Sequence, residues 1–168
     1  YHNQPNNKTS LWEKEIFPDD HSSIAPGKNG MFAYDYHQGL FRQKLNGSSV
    51  WSPVYGNFQL KGIIDVVETT GATVFIVCDR GRGLFRSTDK GKNWKEVTRG
   101  VWKLVESNGV LMANTVNGTI RSTDNGETWT HLPASNTGVL ESFDHRADYV
   151  VKLVVDPTNG NVYMAAMD

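Results

Sequence analysis

The sequence has one cysteine, almost no net charge, no long apolar run and no convincing helical periodicity, and each shortage removes a class of protein. The lone Cys78 ends the apolar run Val74 to Val77, so it reads as a small buried hydrophobe rather than a nucleophile or metal ligand. No apolar run approaches the roughly 18 residues of a transmembrane helix, and membrane insertion is not expected. Seventeen basic against eighteen acidic residues leave a formal charge of -1, which makes no electrostatic case for nucleic acid or an anionic membrane. Any charged partner must be recognised by a local patch. Metal-ligand clusters are sparse: Asp144-His145 with Asp148, and Asp19-Asp20-His21, read as polar loops, and Asp156-Pro-Thr-Asn-Gly160 lacks the ligand alternation and terminal Glu of a calcium loop. The reading is that the chain carries no metal and no cofactor. The first residue is Tyr1 rather than Met and the opening Tyr1 to Ser10 is polar, as in a chain whose signal peptide has been removed or left out. The expected location is secreted, periplasmic or cell-surface. Asn7, Asn46 and Asn117 head Asn-x-Ser/Thr sequons, which matter only in a eukaryotic secretory pathway.

What is present is a repeat. Gly83-Leu-Phe-Arg86-Ser87-Thr88-Asp89-Lys-Gly91-Lys-Asn-Trp94 returns 35 residues later as Gly118-Thr-Ile-Arg121-Ser122-Thr123-Asp124-Asn-Gly126-Glu-Thr-Trp129, identical at seven of twelve positions. A degraded copy, Gly39-Leu-Phe-Arg42-Gln-Lys-Leu-Asn-Gly47-Ser-Ser-Val-Trp51, keeps Gly, Arg, Gly and Trp but loses the Asp and gains a residue. Each full copy follows two segments rich in β-branched and aromatic residues: Ile63 to Glu68 and Ala72 to Cys78, then Val101 to Glu106 and Val110 to Val116. With Leu84 to Ser87 entering the motif and Trp94 to Thr98 leaving it, each unit has four strands. Four short strands with hairpin connections, repeated at this period, predict an all-β propeller of four-stranded antiparallel blades.

The expected organisation is one propeller domain or fragment over 1–168. Residues 11–16 are a lone outer closing strand, since Trp12-Glu-Lys matches Trp94-Lys-Glu at the motif's exit. Residues 21–56 form a blade with the degraded motif, 62–98 and 101–133 are full blades, and 149–168 is the first half of a further blade. About three full blades plus a half make an incomplete ring. The expectation is that missing residues or another chain complete it.

The motif's residue types follow from turn chemistry. Asp89 sits where the third strand turns into the fourth, and its carboxylate can accept from backbone N–H groups two or so residues on. Gly91 supplies a positive φ, and Trp94 buries a large ring beside the turn. An aspartate committed to backbone donors makes a poor general acid or base. Arg86 and Arg121 belong to the repeat and are expected to pack or pair locally.

Ser-x-Asp-x-Gly-x-x-Trp at 87–94 and 122–129 resembles the Asp-box or BNR repeat of bacterial sialidases, sortilin-type receptors and photosystem II assembly factors. The resemblance covers about residues 20 to 168. It implies the propeller fold and little chemistry.

In such a propeller the loops between blades and those between second and third strands open on one face, with the repeat's turns at the opposite rim. Loops on a rigid scaffold carry recognition, so this face is the candidate site. It should hold Tyr36-His37-Gln38, Lys61, Asp79-Arg80-Gly-Arg82, Thr98-Arg99 and the long connection Ala134 to Tyr149. The candidate ligand-binding residues are Arg80, Arg82, Arg99, Arg146, His37, Asp144 and His145. A guanidinium presents a planar fork suited to carboxylates, phosphates or sulfates. The expected function is a non-catalytic interaction scaffold for a protein segment or anionic glycan. The alternative is part of a sialidase-like or other glycoside hydrolase. A sialidase-like site would need an arginine cluster, an acid and a Tyr-Glu pair, and Phe41-Arg42-Gln-Lys departs from the Phe-Arg-Ile-Pro sequence of sialidases. The xyloglucan-cleaving propellers of the wider family use paired aspartates, which Asp35, Asp79 and Asp144 could imitate.

Overall fold

Runs of Val, Ile and Phe bounded by Gly, Asn and Asp form strands because branched and aromatic side chains pack well on a pleated surface, while the bounding residues accept turn geometry. The computed structural model describes residues 23–28, 30–44, 51–56, 60–79, 83–132, 152–155 and 162–165. Among these there is no helix. The first blade is β1 (Ser23–Gly27), β2 (Gly30–Asp35), β3 (Gly39–Lys44) and β4 (Trp51–Pro53). The second is β5 (Ile63–Glu68), β6 (Val74–Cys78), β7 (Gly83–Ser87) and β8 (Lys95–Thr98). The third is β9 (Val101–Ser107), β10 (Val110–Thr115), β11 (Gly118–Ser122) and β12 (Thr130–His131). Within each blade the strands pair antiparallel in sequence order. β13 (Lys152–Val155) and β14 (Val162–Ala165) form a separate antiparallel pair where the first half of a further blade was expected.

The strands fall close to their expected places. The one expected from Ala72 begins at Val74, because Ala72 has a φ of 60° and belongs to the preceding turn. The expected closing strand at 11–16 lies outside the described residues. Successive blades meet along their first strands, with β5 against β1 and β2, and β9 against β5 and β6, while β13 contacts β9. The described architecture is thus an incomplete propeller of four-stranded blades.

Two apolar layers join the blades. Between first and second blades lie Phe32, Leu40, Leu60, Ile63, Val66, Ile76 and Trp94; between second and third lie Phe75, Val77, Leu84, Leu104, Leu111 and Ile120. Alternation along β6 explains the division, since Ile76 faces one neighbour while Phe75 and Val77 face the other. Full burial of a side chain such as Phe75 is worth about 1.5–3 kcal/mol.

The repeated turns carry out the expected chemistry. The Ser87 hydroxyl donates to Asp89 Oδ1 (2.9 Å) and accepts from Gly91 N (2.8 Å), Asp89 Oδ1 accepts from Asn93 N (2.8 Å), and Trp94 Nε1 donates to the Gly91 carbonyl (3.0 Å). Ser122, Asp124, Gly126 and Trp129 repeat the pattern, with Thr128 in the place of Asn93. The φ of Gly91 is 87° and that of Gly126 is 79°, and Lys90 and Asn125 just before them are also left-handed, at 64° and 60°. A β-carbon on Gly91 would collide with Val54 and one on Gly126 with Phe75, so these glycines also permit close approach to the preceding blade.

One expectation needs correction. Arg86 does not pair within its own unit: its Nε donates to the Asn125 carbonyl (3.0 Å) and an Nη to Glu127 (2.6 Å), both in the third blade's turn. Asn125 binds back to the second blade, accepting from the Thr69 hydroxyl (2.7 Å) and donating to that of Thr73 (2.6 Å). Arg42 likewise reaches Glu68 of the second blade at 2.9 Å. Arg42 and Arg86 are therefore inter-blade clasps. Trp94 and Trp129 differ in burial. Trp94 is 5% exposed, whereas Trp129 is half-buried, its ring edge-on to Phe75 at 6.5 Å.

Candidate functional site

Strand direction assigns the two ends of each blade. β5 and β7 run from the inter-blade linker towards the repeated turn, while β6 and β8 run back, so linkers and second-to-third-strand turns share one end. Backbone bonds knit that end together: Gly62 N to the Tyr36 carbonyl (2.7 Å), Asp79 N to the Gly62 carbonyl (2.7 Å) and Val116 N to the Gly100 carbonyl (2.9 Å). The opposite end holds Asp89 and Asp124. The Asn93 N–H, then the Asn93 amide and the Ser87 hydroxyl, lower the Asp89 pKa to about 2. The Thr128 hydroxyl and N–H, then Ser122, hold Asp124 far below the usual carboxylate range. Both carboxylates are thereby committed to their turns.

At the linker end, among the described residues, exposed apolar side chains stand beside the exposed His37, Lys61 and Arg99. Four large hydrophobic side chains are exposed there: Tyr55 (80%), Trp102 (49%), Val116 (40%) and Ile64 (37%). Ile64 and Trp102 have a shared backbone cause. In β5 the pairing passes from Ile63↔Cys78 to Asp65↔Val77, and in β9 from Val101↔Thr115 to Lys103↔Asn114, leaving Ile64 and Trp102 as the extra residues of two bulges. They occupy equivalent positions on neighbouring first strands. The residues after them are paired across the strands, with Lys103 Nζ 2.9 Å from Asp65 Oδ2. Asp65 also accepts from Val66 N (3.1 Å) and touches the first blade electrostatically: burial first, then the Asp65 charge, raises the Tyr34 pKa, opposed by a hydrogen bond with Ser23.

Of the expected ligand-binding residues, His37 and Arg99 are described. His37 is exposed at the linker end, its N–H donating to Asp35 Oδ1 (2.7 Å) and its ring edge-on to Tyr36. Arg99 is exposed with its Nε on Glu96 Oε1 (2.7 Å), a pairing that raises its already high pKa. Arg80, Arg82, Arg146, Asp144 and His145 lie outside the described residues, as do the clusters Asp19-Asp20-His21 and Asp144-His145-Asp148. Asp35, considered for an acid pair, is 2% exposed and caps the turn through His37 N and Gln38 N, which gives it a structural task. No group of metal-ligating side chains occurs among the described residues.

Sequence reasoning missed Ile64 and Trp102, although a signal existed. Lys61-Gly62-Ile63-Ile64-Asp65 aligns with Arg99-Gly100-Val101-Trp102-Lys103 directly after each linker, and only a bulge exposes the fourth residue of each.

Arg99 also borders a groove of about 240 Å³ between the second and third blades. Val97, Ile120 and Trp129 line it with Arg99, Asn117 and His131.

No family model and no curated protein matches the sequence. The fold is similar to that of YCF48 from Cyanidioschyzon merolae, a propeller, at a TM-score of 0.51 and 15% identity. The match covers 83% of this chain and 47% of that one, so the present chain spans about half of its length. At this identity the likeness is one of fold.

Proposed function

We propose that the chain is a non-catalytic binding scaffold of Asp-box propeller type that recognises a protein segment or glycan on its linker-end face. The observation that carries this reading is the paired exposure of Ile64 and Trp102, at equivalent bulges on adjacent first strands and at the same end as Arg99 and His37. An exposed apolar cluster beside a charged donor is the composition of a recognition surface, where aromatic anchors supply most of the affinity. The opposite end offers Asp89 and Asp124, both occupied by their own turns. The Ser-x-Asp-x-Gly-x-x-Trp geometry supports the Asp-box assignment, and a secreted, periplasmic or cell-surface location accompanies it.

The test is calorimetric titration of an acidic peptide and a sulfated glycan into wild type, Trp102→Ala and Lys92→Ala. Lys92 is exposed at the turn end and controls for unspecific charge attraction. Trp102→Ala should weaken binding by roughly 2 kcal/mol or more, as for a central aromatic anchor, while Lys92→Ala leaves it unchanged. Equal binding by Trp102→Ala and wild type would remove this face, and glycan hydrolysis would favour a glycoside hydrolase instead.

A further inference from the structure

We infer that the groove between the second and third blades binds a single acidic sugar ring. The inference rests on the scaffold reading above and names a site within it. Three correspondences show that the groove is a departure from the repeat rather than its by-product. A β-carbon on Gly39 would meet the Leu60 carbonyl, and one on the equivalent Gly83 would meet the Thr98 carbonyl. Leu60 and Thr98 precede Lys61-Gly62 and Arg99-Gly100, whose glycines share φ values of 68° and 67°. Gly62 and Gly100 each accept a backbone bond from the residue that follows the second strand. Leu60 and Thr98 therefore stand at the same place relative to the linker, although in the strand ladder Thr98, opposite Leu84, also matches Val54, whose N–H binds the Leu40 carbonyl. Leu60 is buried between the first and second blades with Cys78, Trp94 and the partly buried Phe85. One repeat later the counterparts are Thr98, Thr115, Trp129 and Ile120, all but the tryptophan shorter or more polar around the same space, and a groove remains.

Its lining specifies the ligand class. At about 240 Å³ the groove is smaller than the roughly 300–1,000 Å³ of drug-sized sites, so it suits one ring rather than a chain segment. Val97, Ile120 and the half-buried Trp129 supply apolar surface for the C–H face of a sugar. Trp129 is held by its Nε1 bond to the Gly126 carbonyl and by Phe75, so the ring is already oriented. The Thr98 hydroxyl, the Asn117 amide and the His131 imidazole have no side-chain hydrogen bond among the described residues and can serve ring hydroxyls. Thr115 is not available, since its hydroxyl donates to the Gly118 carbonyl and accepts from Asn117 N. Arg99 binds Glu96 through Nε alone, which steadies the guanidinium and leaves its terminal nitrogens for a sugar carboxylate.

The experiment titrates D-glucuronate, D-glucose and acetate into wild type, Thr98→Leu, Arg99→Ala and Trp102→Ala, following the Trp129 indole N–H by NMR. Glucuronate should shift that resonance saturably, with glucose and acetate at least tenfold weaker. Thr98→Leu, which copies Leu60, should abolish binding, and Arg99→Ala should weaken it tenfold or more. Arg99 is exposed, so loss of fold cannot account for that variant. Equal binding of glucuronate by Thr98→Leu, Arg99→Ala and wild type would overturn the inference, as would acetate matching glucuronate. If instead Trp102→Ala alone abolished glucuronate binding, the groove would fall while the linker-end face stood. Silence of all proteins toward the sugars, with peptide binding still dependent on Trp102, would refute the groove and leave the scaffold reading intact.

Discussion

At the junction of the first and second blades Leu60, Cys78, Phe85 and Trp94 fill the space that one repeat later is framed by Thr98, Thr115, Ile120 and Trp129. The backbone plan is shared: both junctions carry the linker glycine with positive φ, the repeat arginine clasp and a turn pressed on the preceding blade. What differs is side-chain volume and polarity. The first junction is packed as structure, whereas the second keeps an indole half-exposed in a groove edged by polar side chains. A repeat that must close its core at every junction would not leave this space, and that is why the second junction is the place to seek a ligand.

The largest effect expected at these junctions separates the two indoles. Trp94→Ala should cost about 3–5 kcal/mol, as for a buried aromatic, whereas Trp129→Ala should cost roughly half as much because part of its surface is already in water. Urea melts measure both, and equal losses would erase the distinction. Next, Leu60→Thr should open the first junction at a cost of about 2–4 kcal/mol, the range for deleting a buried aliphatic chain. A cost near zero would mean that Leu60 fills nothing.

Smaller effects distinguish the turns. Asp89 and Asp124 both have folded-state pKa values below the roughly 3.9 of an unfolded aspartate, so the stability they confer is complete above about pH 4. It is lost as pH falls, through about 2 for Asp89 and lower still for Asp124. Carboxyl NMR titration should find Asp124 protonating after Asp89, and Asp89→Asn should flatten the acid limb of stability against pH. Reversal of that order would contradict the tighter hold on Asp124, both of whose oxygens accept from Thr128 N while Oδ2 also accepts from the Thr128 hydroxyl.

Much of the fold was legible because the 35-residue repeat reports directly on turn chemistry. Ser87, Asp89, Gly91 and Trp94 each have one task that their side chain announces, and the strands between turns follow from β-branched runs. The inter-blade reach of Arg86 was not legible, since an arginine's stem spans to a partner that only three-dimensional stacking supplies. Nor was the match of Leu60 with Thr98, because residues 55–59 separate Leu60 from Val54 at the end of the first blade, whereas Thr98 both ends β8 and directly precedes the Arg99-Gly100 linker. The bulges at Ile64 and Trp102 escaped for a different reason: a one-residue shift in pairing leaves no mark in composition. Of the proposed arginine face, Arg99 follows β8 at the linker end, and Arg80, Arg82 and Arg146 lie outside the described residues.

The most direct test of the contrast between junctions is Thr98→Leu, read by hydrogen exchange of the Trp129 indole N–H and by the urea midpoint. If the second junction is an unfilled copy of the first, leucine should bury the indole, slow its exchange towards that of Trp94, and raise stability by about 1 kcal/mol, as for added apolar burial. Unchanged indole exchange with a lowered midpoint would mean that the groove cannot accept the side chain its counterpart carries, and the account of the two junctions would fail.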